Sequence, residues 1–318
     1  MRGSKMINNS SRRDFLKASL GVAAGAGIAG LSTPLTGQAS LALPAAGGRA
    51  AAAGDPLPIK KGVLVDMLPK QLSYLDRFKM AREVGFEVMQ ANTTPDPHEA
   101  QEMKEATEKA GIRIDSVMNM DHWKYPLSSS DPAVVVKSLA GMRTSLHNAK
   151  LWGAHCVLLV PAVVNEQTSY QEAWTRSQRQ IRKLIPMAEE LKVTIGIEEV
   201  WNKFLLSPLE MARYIDEFKS PRIGAWFDVG NVVLYGYPQD WIRTLGHRIV
   251  DVHVKGFKLS GSCFHWVNIG DGQIDWPEVR KAFADIGYHG AAITELHAGD
   301  KAYLQDVSNR VSKYVLGT

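Results

Sequence analysis

The main regularity of this 318-residue sequence is the alternation of short apolar segments with longer amphipathic ones. After residue 59, short runs with the two-residue alternation of a β-strand recur, and each is followed by the apolar spacing of a helix. The predicted strands are Gly62–Val65, Phe86–Gln90, Ile112–Met118, His155–Val160, Val193–Glu198, Ile223–Asp228, Ile249–Val254 and Ala291–Glu295. The pattern therefore predicts consecutive strand–helix units.

Cap residues and glycines bound the segments between these strands. Asp or Ser followed by Pro begins several helices, and a Gly commonly ends them just before the next strand. The predicted helices are Leu72–Val84, Pro97–Ala110, Pro132–Leu151, Tyr170–Leu191, Pro208–Phe218, Pro238–Leu245, Trp276–Ile286 and Lys301–Tyr314.

Strict alternation of eight strands and eight helices predicts a single-domain α/β fold, the (β/α)8 TIM barrel. An open doubly wound sheet is the alternative. That fold would favour a glycine-rich phosphate-binding turn after the first strand, and residues 65–69 (VDMLP) contain no glycine.

The fifth and sixth predicted strands each end in an acidic residue. In both strands the alternation puts apolar residues on one face and the terminal acid, Glu198 or Asp228, on the other. The C-terminal ends of barrel strands meet at one rim, where active sites of this fold lie. The two carboxylates are therefore predicted to face a common site.

The last two strands add an imidazole and a third carboxylate. His253 lies inward on the seventh strand, and Glu295 ends the eighth. Three carboxylates and one imidazole suit Mn²⁺, Mg²⁺ or Co²⁺, allow Zn²⁺ and suit Cu²⁺ poorly. We therefore expect one divalent ion, preferably Mn²⁺. For each residue alone, capping a helix or pairing with a lysine is the alternative role.

Four segments resemble the sugar phosphate isomerase/epimerase family, which has the xylose isomerase-like TIM barrel. They are EEVWNKF (198–204), FDVGN (227–231), VHVK (252–255) and TEL (294–296). The resemblance covers about residues 60–318 and is closest to hexulose-6-phosphate isomerases and ketose epimerases.

This resemblance implies a metal-dependent isomerase or epimerase that acts on a ketose or a related carbohydrate. It implies that Glu198, Asp228, His253 and Glu295 hold the metal. It also implies that the two glutamates move a proton at the reacting carbon through an enediolate. Homodimers are common in the family.

Glu199 is an alternative first ligand. Related ketose epimerases have Asn three residues after the ligand, which favours Glu199 through Asn202, whereas strand alternation and the EEVWNKF segment favour Glu198. The seventh strand is expected to be followed by a long loop. Candidate substrate-binding residues near the rim are Lys203, Asn231, Lys255, His122 and His265. An ordinary loop role is the alternative for each of them.

Two other functions stay open at this point. A non-catalytic carbohydrate-binding barrel would keep the same residues without turnover. An apurinic endonuclease-like metal hydrolase belongs to the same superfamily, but those enzymes have His three residues after the sixth-strand aspartate, where this chain has Asn231.

The charge distribution argues against a nucleic-acid partner. The net charge is +4, but residues 1–42 hold five of the 37 basic residues and one of the 33 acidic residues, which leaves 32 of each in the remainder. Binding to phosphates needs a clustered excess of Lys and Arg, and a neutral body does not supply it.

Residues 1–42 are predicted to be a twin-arginine signal peptide, residues 43–58 an Ala/Gly/Pro linker and residues 59–318 the catalytic domain. The signal is SRRDFLK (11–17), followed by an apolar run at 18–31. This run is too weakly apolar for a stable membrane span. The expected partner is the twin-arginine export machinery, and the expected location is the periplasm or another exported compartment.

Overall fold

A computed structural model describes residues 56–261 and 263–318. Its strands are β1 (Lys60–Leu64), β2 (Val88–Asn92), β3 (Arg113–Met118), β4 (Cys156–Leu159), β5 (Thr194–Glu198), β6 (Ile223–Asp228), β7 (Ile249–Val254), β8 (Gly256–Ser260), β9 (Cys263–Val267) and β10 (Ala291–Thr294). Strands β1 to β7 and β10 form a closed parallel barrel in which β10 lies between β7 and β1. The predicted TIM barrel is confirmed.

The signal peptide predicted at residues 1–42 lies outside the described residues, as does the linker predicted at residues 43–58 apart from its last three positions. Inside the described part, the chain joins the barrel at β1, and one or two helices separate each barrel strand from the next, with the strands β8 and β9 inserted after β7.

The helices surround the barrel, and four of them begin at the predicted combination of a cap residue with proline in the first turn. Asp96, Asp131, Ser207 and Asp275 each accept a hydrogen bond from a backbone N–H of the helix that follows. Ser73 does the same for the first helix, which begins at Tyr74 and not at the predicted Leu72. The helices are Tyr74–Glu83, Pro97–Ala110, Pro132–Trp152, Tyr170–Ile181, Ile185–Leu191, Pro208–Asp216, Pro238–Leu245, Trp276–Asp285 and Lys301–Arg310. Within the described ranges, none combines the length and the apolar character that a membrane span requires.

The predicted helix Tyr170–Leu191 is wrong as a single element. The structure has two helices there, Tyr170–Ile181 and Ile185–Leu191, and Pro186 lies in the first turn of the second. A proline inside a continuous helix would lack the N–H for one hydrogen bond and would clash with the preceding turn, so the break falls just before it.

The predicted long loop after the seventh strand is also wrong. Strands β8 and β9 form an antiparallel hairpin there, in which Phe257 pairs with Trp266 and Leu259 with Phe264. Gly261 follows β8 with a φ of +62°, a conformation that glycine adopts without strain. The hairpin stands directly after β7 and so beside the C-terminal rim of the barrel.

Trp226 fills the barrel interior next to the predicted site. Its indole ring packs against the imidazole of His253 in a T-shaped contact with the ring centroids 4.9 Å apart. Gly196 of β5 leaves room for this ring, because a Cβ at Gly196 would lie only 3.2 Å from two carbon atoms of Trp226. The indole ring of Trp226 therefore closes the candidate site on the side of the barrel interior.

Candidate metal centre

Glu198, Asp228 and His253 come together at the C-terminal ends of β5, β6 and β7. One potential ligand atom from each side chain lies within 4.8 Å of the others, and all three residues are buried. Nδ1 of His253 is 3.0 Å from Oε1 of Glu198 and 3.8 Å from Oδ2 of Asp228. Because inward positions of neighbouring parallel strands meet at this rim, strand alternation brings the three together. We call them the acidic triad.

Glu295 lies beside the acidic triad at the end of β10. Its backbone N–H donates to the carbonyl of Val254 at 3.2 Å, which ties it to β7. Its Oε2 atom is 3.6 Å from Nδ1 of His253, and its side chain is 33% exposed. The fourth predicted ligand is therefore close to the other three and, unlike them, can be reached from the rim.

Lys255 places its ammonium group between two of these acids. Nζ donates to Oε2 of Glu295 at 2.5 Å and lies 2.8 Å from Oδ2 of Asp228. Burial lowers the pKa of Lys255, but the charges of Asp228 and Glu295 raise it by more, so the pKa lies above its ordinary value. Predicted as a substrate contact, Lys255 is also part of the charge network of the candidate ligands.

Burial and neighbouring charges give the three carboxyl groups different pKa values. Burial raises the pKa of Glu198 to about 7, in spite of the hydrogen bond with His253, which lowers it. For Glu295 burial acts in the same direction, but the positive charges of His253 and Lys255 outweigh it and bring the pKa to about 2. Burial also raises the pKa of Asp228. Lys255 thus balances only part of the negative charge of three carboxylates.

Gln90 of β2 holds the imidazole of His253 from the other side. Its Oε1 atom lies 2.7 Å from Nε2 of the ring. An amide oxygen can only accept, so Nε2 carries a hydrogen. Burial lowers the pKa of His253, but the charges of the surrounding carboxylates raise it by more, and Nδ1 donates to Oε1 of Glu198 at 3.0 Å. A bound metal would replace the hydrogen on Nδ1, and the bond to Gln90 fixes Nδ1 as the nitrogen that would ligate it. Gln90 was not predicted as a site residue, although a glutamine at the C-terminal end of a predicted barrel strand was a usable signal.

Glu199 turns towards the backbone of β6 and not into the acidic triad. Its Oε1 atom accepts the N–H of Asp228 at 2.8 Å, and its carbonyl accepts Nδ2 of Asn231 at 3.0 Å. The backbone N–H groups of Gly230 and Asn231 donate to Oδ1 of Asp228 at 2.8 and 3.0 Å. Of the two adjacent glutamates, the structure brings Glu198 into the group. Glu199 and Asn231 hold Asp228 in position.

The other predicted substrate-binding residues are dispersed. His122 is buried, its Nδ1 accepts the N–H of Val160 at 3.5 Å, and burial lowers its pKa to about 4. Lys203 is exposed, with a φ of 61°. His265 is exposed and pairs with Lys258 in the hairpin. The hydrogen bonds and ion pairs of the described residues do not join Lys203 or His265 to the acidic triad, and their roles stay predictions.

The donor atoms of this group fit a divalent cation. Oδ2 of Asp228 is buried and lies 2.8 Å from Nζ of Lys255, but it makes no hydrogen bond of acceptable geometry with any of the described residues. A buried carboxylate oxygen of this kind is costly unless a cation compensates it. Carboxylate oxygens with one imidazole suit several divalent ions. The donor set therefore indicates a divalent cation but does not identify the metal.

An aromatic group borders the same rim. Trp201, from the segment after β5, packs against the hairpin with its ring centroid 4.2 Å from that of Phe264 and 5.1 Å from that of Trp266. Nζ of Lys255 lies 4.5 Å from the centroid of the Trp266 ring. Trp266 therefore borders the candidate metal centre, and Lys255 lies between its indole ring and the carboxylates of Asp228 and Glu295.

Comparison with known proteins identifies the family. A family model described as the xylose isomerase-like TIM barrel matches residues 78–311. The chain belongs to this family. A second model, for the twin-arginine translocation signal sequence, matches residues 9–29 and indicates that this xylose isomerase-like protein is exported by that pathway.

The named relatives of this xylose isomerase-like protein are sugar epimerases. L-ribulose-5-phosphate 3-epimerase UlaE of Escherichia coli O1:K1 / APEC is 25% identical over 250 residues, which cover 75% of this chain and 87% of UlaE. The UlaE of Salmonella heidelberg (strain SL476) is 24% identical over the same length and with the same coverage.

Solved structures share the fold of this xylose isomerase-like protein. A D-tagatose 3-epimerase-like protein has a TM-score of 0.70 at 18% identity and covers 81% of this chain and 98% of its own. D-psicose 3-epimerase from Clostridium cellulolyticum H10 has a TM-score of 0.68 at 19% identity, with 82% and 100% covered.

Proposed function

We propose that the protein is a divalent-metal-dependent isomerase, of the ketose epimerase or aldose–ketose isomerase type, that acts on a ketose or a related carbohydrate. The observation that carries this proposal is the convergence of the acidic triad, with Glu295 beside it, at the rim of the barrel. The epimerase names of its relatives support the reaction class. The signal sequence supports a location in the periplasm or another exported compartment.

The proposed metal ligands are Glu198, Asp228, His253 and Glu295, and the proposed ion is Mn²⁺. Such an ion would polarise the substrate carbonyl and stabilise negative charge on its oxygen. Gln90 supports this assignment because its bond to Nε2 fixes Nδ1 of His253 as the ligating nitrogen. Asn231 supports it because its N–H holds Oδ1 of Asp228, so that Oδ2 stays turned to the other donors.

Glu198 and Glu295 are the proposed acid/base pair. One carboxylate takes the proton next to the substrate carbonyl, which leaves an enediolate, and the other returns a proton to the opposite face to give an epimer. Return to the neighbouring carbon gives an isomer. Both carboxyl groups lie beside Nδ1 of His253, with Oε1 of Glu198 at 3.0 Å and Oε2 of Glu295 at 3.6 Å, so either could face the reacting carbon of a sugar bound there.

Proton exchange with solvent tests this reaction. The mature protein is incubated with Mn²⁺ and a panel of free ketoses in D2O, and deuterium at the carbon next to the carbonyl is followed by NMR. We expect exchange in the wild type and its loss in Glu295→Gln. The control is Glu105→Gln, on the exposed surface of helix Pro97–Ala110, which should exchange like the wild type. Binding of a sugar without any exchange would favour the carbohydrate-binding barrel.

Gln90→Leu is expected to weaken Mn²⁺ binding by about 10- to 100-fold, as removal of such hydrogen bonds to ligating histidines does. The leucine fills a similar volume but leaves Nε2 of His253 without an acceptor. The affinity is measured by calorimetric titration, with exposed Gln101→Leu as the control. An unchanged affinity in Gln90→Leu would show that the ring orientation does not depend on this hydrogen bond.

A further inference from the structure

One face of the β8–β9 hairpin consists of apolar side chains. In an antiparallel pair, residues directly opposite each other project to the same side. Phe257 pairs with Trp266 and Leu259 pairs with Phe264, so these four residues share one side, which we call the aromatic face. Lys258 pairs with His265 on the other side. Phe257 is buried, but the other three members of the aromatic face remain 41–42% exposed.

The aromatic face lies directly beside the candidate metal centre. Gly230 shows how close the two are, since a Cβ there would lie 3.3 Å from Cζ3 of Trp266 and 2.6 Å from Cγ of Lys255. The N–H of this same Gly230 donates to Oδ1 of Asp228 at 2.8 Å. A sugar that reacts at the acids therefore has the Trp266 ring as its immediate neighbour on the side of the hairpin.

The hairpin is held in place by the segment that follows it. Leu259 donates its N–H to Oε1 of Gln273 at 2.7 Å, and Nε2 of Gln273 donates to the Leu259 carbonyl at 3.2 Å. The backbone N–H of Gln273 also donates to the carbonyl of Phe257 at 3.0 Å. Gly272 allows this approach, because a Cβ there would lie 2.2 Å from the same carbonyl oxygen. These contacts hold the hairpin in one position, so it forms a fixed platform for a ligand and does not act as a movable lid.

Trp201 is fixed in the same way and supports the platform from the barrel side. Its Nε1–H donates to the carbonyl of Asn231 at 3.0 Å, while its ring packs on Phe264 and Trp266. The rings are therefore ordered before any ligand binds, so that a ligand would not have to supply the free energy of ordering them.

We propose that the aromatic face is a glycosyl-binding subsite and that the preferred substrate is a ketose carrying a second sugar ring. This inference rests on the proposed function, because the reacting ring must reach Glu198 and Glu295. Exposed rings fixed beside a polar site indicate a ligand with an apolar surface and hydroxyl groups at its edges. The C–H face of a pyranose has this character and stacks on aromatic rings. A free monosaccharide at the acids would leave Phe264 and Leu259 uncovered.

Two ketoses that differ by one glycosyl group test the subsite. D-fructose is compared with isomaltulose, in which the fructose unit carries glucose on its terminal hydroxyl. Affinity is measured by calorimetric titration of the Mn²⁺-loaded protein, and exchange by NMR in D2O. We expect isomaltulose to bind about tenfold more tightly than D-fructose, from stacking on Trp266 and Phe264. In Trp266→Ala this advantage should disappear, because the affinity for isomaltulose should fall by more than the affinity for D-fructose does.

The controls separate the subsite from the fold and from the proposed reaction. Trp266→Phe keeps a ring and should retain part of the advantage, and Lys258→Ala, on the opposite side of the same hairpin, should retain all of it. Equal affinity for both sugars in the wild type, or equal losses for both in Trp266→Ala, would overturn the subsite. A Trp266-dependent preference without deuterium exchange would support the subsite and contradict the proposed reaction. A dimer that dissociates in Trp266→Ala would instead assign the aromatic face to a second copy of the chain, and would overturn the subsite.

Discussion

Glu198→Gln is expected to lower kcat of the Mn²⁺-loaded protein by about 10²- to 10⁴-fold, the range found when a group that transfers protons is removed. Glutamine has nearly the same shape, so the packing of the barrel interior is retained. The change removes the negative charge next to Nδ1 of His253 and with it the carboxylate that is proposed to transfer the proton. The turnover number is obtained with the ketose that shows the fastest exchange.

Glu199→Gln is the matched control for this experiment, because Glu199 is the neighbouring glutamate and the alternative ligand. Its amide oxygen can still accept the N–H of Asp228, so kcat should fall by no more than about tenfold, the equivalent of a net hydrogen bond. If Glu199→Gln reduced kcat and Mn²⁺ binding more than Glu198→Gln did, the assignment of Glu198 would be wrong.

Lys255→Met is expected to destabilise the protein by about 3 kcal/mol when divalent ions are chelated, because it leaves buried carboxylates without their cationic partner. The Asp228 side chain is fully buried, whereas Glu295 is 33% exposed and loses less, which places the effect at the lower end of the range for buried pairs. The free energy of unfolding is measured by urea denaturation in EDTA.

Addition of Mn²⁺ should restore much of this loss. An ion present at one hundred times its Kd stabilises the native state by about 2.7 kcal/mol, and in Lys255→Met it would replace the missing positive charge. Lys258→Met, on the exposed hairpin side, is the control and should change the stability by less than about 0.5 kcal/mol. A Lys255→Met variant as stable as the wild type in EDTA would show that the acids do not depend on Lys255.

The barrel could be predicted from the sequence because its strands are short and mostly apolar, and because cap residues and glycines mark the ends of several helices between them. The hairpin was not predicted, although the two-residue alternation of a strand was present in its sequence. Apolar residues are two positions apart on both strands, at Phe257 and Leu259 of β8 and at Phe264 and Trp266 of β9. The helix predicted at 170–191 failed at Pro186, where the backbone requirement of one residue outweighs the apolar periodicity around it.

The candidate site was predictable as far as strand alternation determines it. That rule places the acidic triad, which lies at inward positions of three neighbouring strands. Strand alternation does not predict the contacts of Glu199, Lys255 or Gln90. These contacts depend on side-chain rotamers and on strands that are distant in sequence. Gln90 and His253 are 163 residues apart and meet only because the barrel is closed.

The most direct test of the account is a crystal structure of the Mn²⁺-soaked protein with anomalous diffraction data. We predict one anomalous peak at the C-terminal rim, with oxygen atoms of Glu198, Asp228 and Glu295 and Nδ1 of His253 at about 2.0–2.3 Å from it. Lys255 should then have moved away from at least one of its two carboxylates. A peak coordinated by Glu199, or Mn²⁺ bound only elsewhere on the protein, would contradict the account.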